Sequence, residues 1–142
     1  MSKSDLIVES KISYEKLEKI LQNSLETRAS FTKWSSKQIG QMQGFLSRIV
    51  KVELEWSVES PELPKSVLFR RSALDIMAGI GTDAKITMAH SCEVAFYSIA
   101  KGHEKELLVP KCYYAEEIDV ANGQFGMFVF EDLSEKGYTK PF

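Results

Sequence analysis

The chain has little of several features that would place it in a specialised class of protein. It has two cysteines, Cys92 and Cys112, with no CxxC pair and no zinc-like spacing to its two histidines, so we interpret both as buried free thiols. No apolar run is long enough for a signal peptide or a membrane span, which makes a cytoplasmic protein the default expectation. A formal net charge of -2 gives no electrostatic case for binding nucleic acid or an anionic membrane.

What the chain does have is the size and composition of one ordinary domain. Its 142 residues are 44% hydrophobic and 27% charged, which is enough to bury one core. The clearest local pattern lies in residues 50–56, where apolar Val50, Val52, Leu54 and Trp56 alternate with charged residues. A period of two is typical of a strand with one buried face.

Periodicity and turn signals predict the remaining elements. Two helices are predicted, one over 13–25 with Ser13 as its N-cap and one over about 83–101 that ends at Gly102. Asn122-Gly123 indicates a hairpin between the last two strands. The predicted strands are 34–39, 45–56, 66–71, 111–118 and 125–133. This order predicts an α+β fold, in which an antiparallel sheet of about five strands carries a packed helix and the chain begins with a further helix.

Glu93 is the residue that most needs a chemical explanation. It shares a predicted helix stripe with apolar and aromatic residues, which are Ile86, Ala89, Phe96, Tyr97 and Ala100. A carboxylate facing the sheet is costly without a partner. Arg70 is the candidate, because strand side chains alternate and Arg71 then points the other way. The alternative is that Glu93 lies at the edge of the stripe in water, and helix geometry alone favours that alternative.

Two further features indicate little when taken singly. Gly40 and Gly44 flank a predicted turn whose backbone amides can approach a phosphate, although the GxGxxG spacing is absent and most such loops are only turns. Glu131, Asp132 and Leu133 follow an apolar strand, where acidic residues are common. They become informative only through their positions in the order of predicted strands and helices.

Together these pieces resemble the N-terminal lobe of the CHK kinase-like family, which is expanded in nematodes and insects. Its members are related to choline, aminoglycoside and ecdysteroid kinases. The stretches that carry the likeness, in the family's order, are 39–49, 63–68, 90–97, 109–115 and 126–134. The resemblance implies that ATP is the cofactor. It also implies that Gly40 to Gly44 cover the nucleotide phosphates, that Glu93 is the acidic residue of the lobe's helix, and that the backbone of Glu131, Asp132 and Leu133 meets the adenine.

The chain departs from this family in two ways. The family expects a lysine on the third strand that contacts the α- and β-phosphates and pairs with the helix glutamate, and Arg70 stands there. Arginine keeps the charge, but its planar fork is not interchangeable with an ammonium. The resemblance makes residues 131–133 the hinge between the two lobes. In kinase-like folds the catalytic base and the magnesium ligands follow the hinge, and here only residues 134–142 follow it. No catalytic and no metal-binding residue is therefore predicted.

The resemblance implies a single kinase-like N-terminal lobe over residues 1–142, with 1–30 as an N-terminal helical extension and with the C-terminal catalytic lobe absent. We expect a truncated, pseudokinase-like protein that binds ATP weakly through Gly40, Gly44, Arg70, Glu93 and residues 131–133, without magnesium and without phosphotransfer by itself.

Three alternatives stay open. The chain is a non-catalytic interaction module, which forms a homo-oligomer or binds a full-length paralogue through apolar surface that a lost lobe once covered. Alternatively, it is a fragment of a longer, active ATP-dependent small-molecule kinase. The third alternative is an α+β domain with no link to nucleotides.

Overall fold

The protein folds as a five-stranded antiparallel sheet with helices, in a computed structural model that describes residues 2–7, 12–41, 48–71, 84–122 and 124–133. The elements, in chain order, are α1 (Tyr14–Leu25), β1 (Phe31–Gln41), β2 (Arg48–Trp56), β3 (Ser66–Arg71), α2 (Ala84–Ala100), α3 (Glu104–Leu107), β4 (Cys112–Asp119), a 3-10 turn (Val120–Asn122) and β5 (Gln124–Glu131). The strands lie in the order β1-β2-β3-β5-β4, and each neighbouring pair is antiparallel. The predicted α+β class is confirmed.

Helix α1 covers one face of the sheet. Ser13 caps it as predicted, since its hydroxyl accepts a hydrogen bond from the backbone N–H of Lys16. The carboxylate of Glu18 is buried and accepts hydrogen bonds from the backbone N–H of Phe31 and from Lys3 Nζ, both at 2.7 Å. The apolar side of the helix packs on a buried cluster that includes Val50, Val52, Leu54, Val67, Phe69, Met127 and Val129. The predicted alternation in β2 is thus confirmed.

Strand β1 is longer than its sequence pattern predicts, and part of the predicted glycine turn belongs to it. The strand runs on through Gly40, which pairs with Ile49 of β2, so the assignment of Gly40 to a turn was wrong. Pairing along the length of β2 overrides the turn preference of glycine, and a register shift between Gln38 and Gly40 accommodates it. Gly44 lies outside the described residues.

Helix α2 covers the opposite face of the sheet, but its inward side differs from the predicted stripe. Phe96 is 42% exposed, and Cys92, predicted to be buried, is exposed as well. The residues that face the sheet include His90, Val94, Tyr97 and Ala100. Tyr97 and Ala100 were predicted correctly, and Phe96 was wrong because this helix is apolar on almost every side, so that periodicity did not single out one face. The side chains of Ile86 and Ala89 lie outside the described part.

The predicted hairpin of β4 and β5 is confirmed, although β5 ends at Glu131 rather than at residue 133. The segment between α2 and β4 contains the short helix α3. At the opposite edge of the sheet, Lys33 and Lys37 of β1 pair with Glu55 and Glu53 of β2, at 3.7 and 4.0 Å. Among the described helices, none combines the length and the apolar character that crossing a membrane requires.

Candidate functional site

An ion pair joins strand β3 to helix α2 on the face of the sheet that α2 covers. The guanidinium Nη2 of Arg70 donates a hydrogen bond to Oε2 of Glu93. The predicted contact is therefore confirmed. The Arg70 side chain is 23% exposed and that of Glu93 is 45% exposed, so the carboxylate lies at the border between the sheet and water. Because solvent screens a pair in this position, the pair fixes helix α2 relative to β3 more than it stabilises the fold.

Two aromatic rings explain why an arginine suits this position. The Arg70 guanidinium carbon lies 4.7 Å from the ring centroid of Phe128 and 5.4 Å from that of Phe130. These rings are themselves stacked, with centroids 5.3 Å apart and planes 14° apart. A planar guanidinium can stack on such rings while its N–H groups reach a carboxylate, and a compact ammonium cannot do both as well.

Tyr97 of helix α2 packs against the same pair of rings. Its ring centroid lies 5.7 Å from that of Phe128 and 4.9 Å from that of Phe130. Burial raises the pKa of the Tyr97 hydroxyl above its ordinary value, and the charge of Arg70 opposes that rise. Burial also raises the pKa of the nearby Cys112 thiol to about 11, so this thiol is protonated at neutral pH.

His90 and Gly126 form a close contact between helix α2 and strand β5. His90 is buried, and its Nε2 lies 2.6 Å from the backbone carbonyl oxygen of Glu116, which can only accept, so Nε2 carries the hydrogen. Gly126 has a φ of +90°, and a Cβ placed there would lie 2.9 Å from the His90 ring and 2.7 Å from Ile118 Cγ1. Sequence reasoning missed both residues, although a glycine inside an apolar strand is a signal of close approach.

The residues predicted to form a hinge lie where strand β5 ends. The backbone N–H of Glu131 donates to the Lys111 carbonyl oxygen at 2.8 Å, and the Lys111 N–H donates to Glu131 Oε1 at 3.2 Å. The Asp132 side chain is buried and accepts a hydrogen bond from Ser66 Oγ at 2.8 Å. Asp132 Oδ2 also lies 3.2 Å from Lys51 Nζ. Sequence reasoning missed the roles of Ser66 and Lys51.

Sheet register brings several predicted residues into one row. Gly40 pairs with Ile49, Ile49 pairs with Arg70, and Arg70 pairs with Phe128. Along β3, Val67 pairs with Glu131, three residues from Arg70, which corresponds to about 10 Å of extended chain. The row that contains Gly40 and Arg70 therefore lies about 10 Å along the sheet from the point where the 131–133 segment begins.

One groove in the described part of the chain lies away from the predicted site residues. It has a volume of about 760 Å³ and is lined by Thr32, residues 54–56 and the loop residues Val58, Glu59, Ser60, Pro61, Leu63 and Lys65. The apolar residues of the α2-covered face are already buried, namely Ile49, Leu68, Phe128 and Phe130. Within the described ranges, no group of three or more histidine, cysteine, aspartate or glutamate side chains is placed to hold a metal ion.

A five-stranded antiparallel sheet with a helix ion-paired to its third strand is compatible with the N-terminal lobe of a kinase-like fold. The model of the family DUF1679, described as "Uncharacterized oxidoreductase dhs-27", matches residues 1–140, and the chain belongs to this family. No curated protein matches the chain, and no solved structure does. The described strands are antiparallel, unlike the parallel strands of a Rossmann dinucleotide-binding fold.

Proposed function

We propose that this chain is a cytoplasmic, nucleotide-binding lobe of the CHK kinase-like type, and that the 142-residue protein binds ATP without transferring its phosphate. The observation that carries the proposal is the contact between Arg70 and Glu93. It links the third strand to the helix on the sheet, which is the link that the resemblance implies for this lobe. In this proposal residues 1–30 are an extension, whose helix α1 packs on the other face of the sheet.

The spacing of the residues fits a nucleotide. Arg70 offers a positive charge at one end of the proposed site, and the 131–133 segment offers backbone groups about 10 Å away at the other. An adenine ring at that segment would place the phosphates of the same nucleotide near Arg70 and Gly40. These residues would orient the triphosphate of a bound ATP.

Two features favour a low affinity for ATP and binding without phosphate transfer. The apolar side chains of the α2-covered face are already buried, so an adenine ring gains little further apolar contact there. Transfer needs a base for the acceptor hydroxyl and oxygen ligands for magnesium. The described residues provide no cluster of acidic side chains for that purpose.

Thermal unfolding with ATP tests the proposal. At 5 mM ATP, with and without magnesium, the Tm should rise by roughly 2–4 °C for a dissociation constant of about 1 mM, because a ligand that binds only the folded state stabilises it. Arg70→Met should abolish the rise, and Arg70→Lys should keep it without producing phosphotransfer.

The matched control for that experiment is Lys19→Met, which removes an exposed charge that pairs with Glu15 on helix α1, far from β3 in sequence. This variant should keep the full ATP response. An unchanged Tm at 10 mM ATP in the unaltered protein would remove the proposal.

One observation favours a second candidate, an interaction module. Met88, Phe96 and Ile99 of helix α2 are exposed, and Ile99 is 76% exposed. Large apolar side chains on one helix are typical of a surface that contacts another protein. In this candidate the partner is a second copy of the chain or a full-length paralogue.

Sedimentation equilibrium of the purified chain tests the second candidate. A self-associating protein should lose at least about tenfold in association constant when Ile99 becomes lysine, because the charge must be desolvated at the contact. Val58→Lys, at an equally apolar and 55% exposed position in the loop after β2, should leave association unchanged. A monomer at all concentrations that also fails to bind the paralogue contradicts this candidate.

A further inference from the structure

A charged side chain is buried at the point where strand β5 stops. Asp132 is 3% exposed and directly follows Glu131, the last residue of the strand. Its Oδ2 accepts a hydrogen bond from Ser66 Oγ at 2.8 Å and lies 3.2 Å from Lys51 Nζ. Ser66 begins β3 and Lys51 lies within β2, so one carboxylate joins three strands.

This contact begins where backbone pairing ends. The ladder between β3 and β5 runs from Arg71 and Met127 to Val67 and Glu131. Beyond that pair, the side chain of Asp132 takes over and connects the chain to the sheet. A buried carboxylate is stable only with partners, so leaving this position would separate the charge of Asp132 from Ser66 and Lys51.

Ser66 and Lys51 interact with Asp132 in different ways. Ser66 is buried and gives a neutral hydroxyl donor, while the Lys51 side chain is 26% exposed and gives a full positive charge. Both contacts involve the charged carboxylate, and the one with Lys51 adds the attraction of an opposite charge. Lys51 lies between Val50 and Val52, which face α1, so it points to the α2-covered side of the sheet together with Ile49.

We propose that Asp132 is a positioning residue that fixes the 131–133 segment against β2 and β3, and that the charge of Lys51 contributes more to this than the hydroxyl of Ser66 does. The functional part rests on the proposed nucleotide site, in which this segment meets the base. The clamp, meaning Lys51, Ser66 and Asp132, then sets the geometry of that end of the site before any ligand arrives. Lys51 lies two residues from Ile49, the register partner of Arg70, so the clamp adjoins the row that would hold the phosphates.

Amide hydrogen exchange of the ligand-free chain tests the clamp. Asp132→Asn keeps an acceptor for Ser66 and removes the charge, and Lys51→Met removes the ammonium. Both should speed exchange at residues 131–133 by tenfold or more, and Ser66→Ala should speed it less. Amides of α1 should be unchanged in every variant, because a loss of global stability would accelerate them as well.

Lys37→Met is the matched control, since Lys37 pairs with Glu53 in the same sheet but is 66% exposed. It should leave exchange at 131–133 unchanged. If Asp132→Asn does not fold, the ion pair is tested by Lys51→Met against the charge-conserving Lys51→Arg, which should restore slow exchange. Unaltered exchange at 131–133 in Lys51→Met, or equal acceleration across the chain, overturns the proposal.

The affinity of the Lys51 variants for ATP distinguishes the clamp from the proposed function. If the clamp positions a nucleotide site, Lys51→Met should reduce the affinity for ATP by at least fivefold while Lys51→Arg retains it. No ATP response in the unaltered protein, together with local exchange as expected, removes the proposed function and leaves the clamp. Equal ATP affinity in Lys51→Met with faster local exchange overturns the positioning role.

Discussion

Replacing Gly126 with alanine is expected to lower the free energy of unfolding by about 3 kcal/mol, from a left-handed backbone cost and an overpacking cost of similar size. The backbone cost arises because Gly126 has a φ of +90°, which L side chains rarely adopt. The overpacking cost arises because the added Cβ would lie 2.9 Å from the His90 ring and 2.7 Å from Ile118 Cγ1. Relief requires His90 to move, which breaks its bond to the Glu116 carbonyl oxygen.

Gly102 offers a matched control, because its φ is +88° and nothing lies within 4 Å of the position that an added methyl group would take. Gly102→Ala should therefore show the backbone cost alone, about 1.5 kcal/mol. Urea unfolding of the two variants measures the difference directly. Equal losses in both would mean that the contact between α2 and β5 is looser than described.

Phe128→Ala is expected to cost about 3–5 kcal/mol, the usual range for deleting a fully buried ring. Phe128 is 1% exposed, and its ring lies 4.7 Å from that of His90 and 4.7 Å from the Arg70 guanidinium carbon. Its loss removes the surface on which Tyr97, His90 and Arg70 all rest. Since domains of this size are stable by about 5–15 kcal/mol, the variant should be close to unfolding.

Phe96→Ala is the control for ring deletion, because Phe96 lies on the same helix as Tyr97 and is 42% exposed. It should cost at most about 1 kcal/mol. Circular dichroism during urea unfolding gives both values. A Phe128→Ala loss no larger than that of Phe96→Ala would contradict the packing of α2 on this face.

The sequence predicted best those elements whose two sides differ chemically. Strand β2 alternates apolar and charged residues, so its buried face follows from the pattern. The contact of Arg70 with Glu93 was predictable from the alternation of β3 together with the family resemblance, whereas helix geometry alone favoured a solvated Glu93. Helix α2 has no such contrast, and for that reason Phe96 was wrongly placed in the inward stripe.

The remaining contacts depend on residues far apart in the chain. Ser66 and Asp132 are 66 positions apart, and no local pattern relates them. The strand assignment of Gly40 likewise follows from pairing with β2, which overrides a local turn preference. The stacking of Arg70 on Phe128 and Phe130 needed the register of β3 against β5, which the sequence does not encode locally.

The lysines of the outer strand have a consequence for how copies of the protein meet. Strand β1 has eleven residues and forms one border of the sheet, where a second molecule could add a strand of its own. Lys33 and Lys37 place charge along that border, and their partners Glu55 and Glu53 lie on the neighbouring strand of the same molecule. A second copy approaching in the same way would bring its own lysines against these. Charge along this border therefore disfavours edge-to-edge strand pairing between copies of the protein.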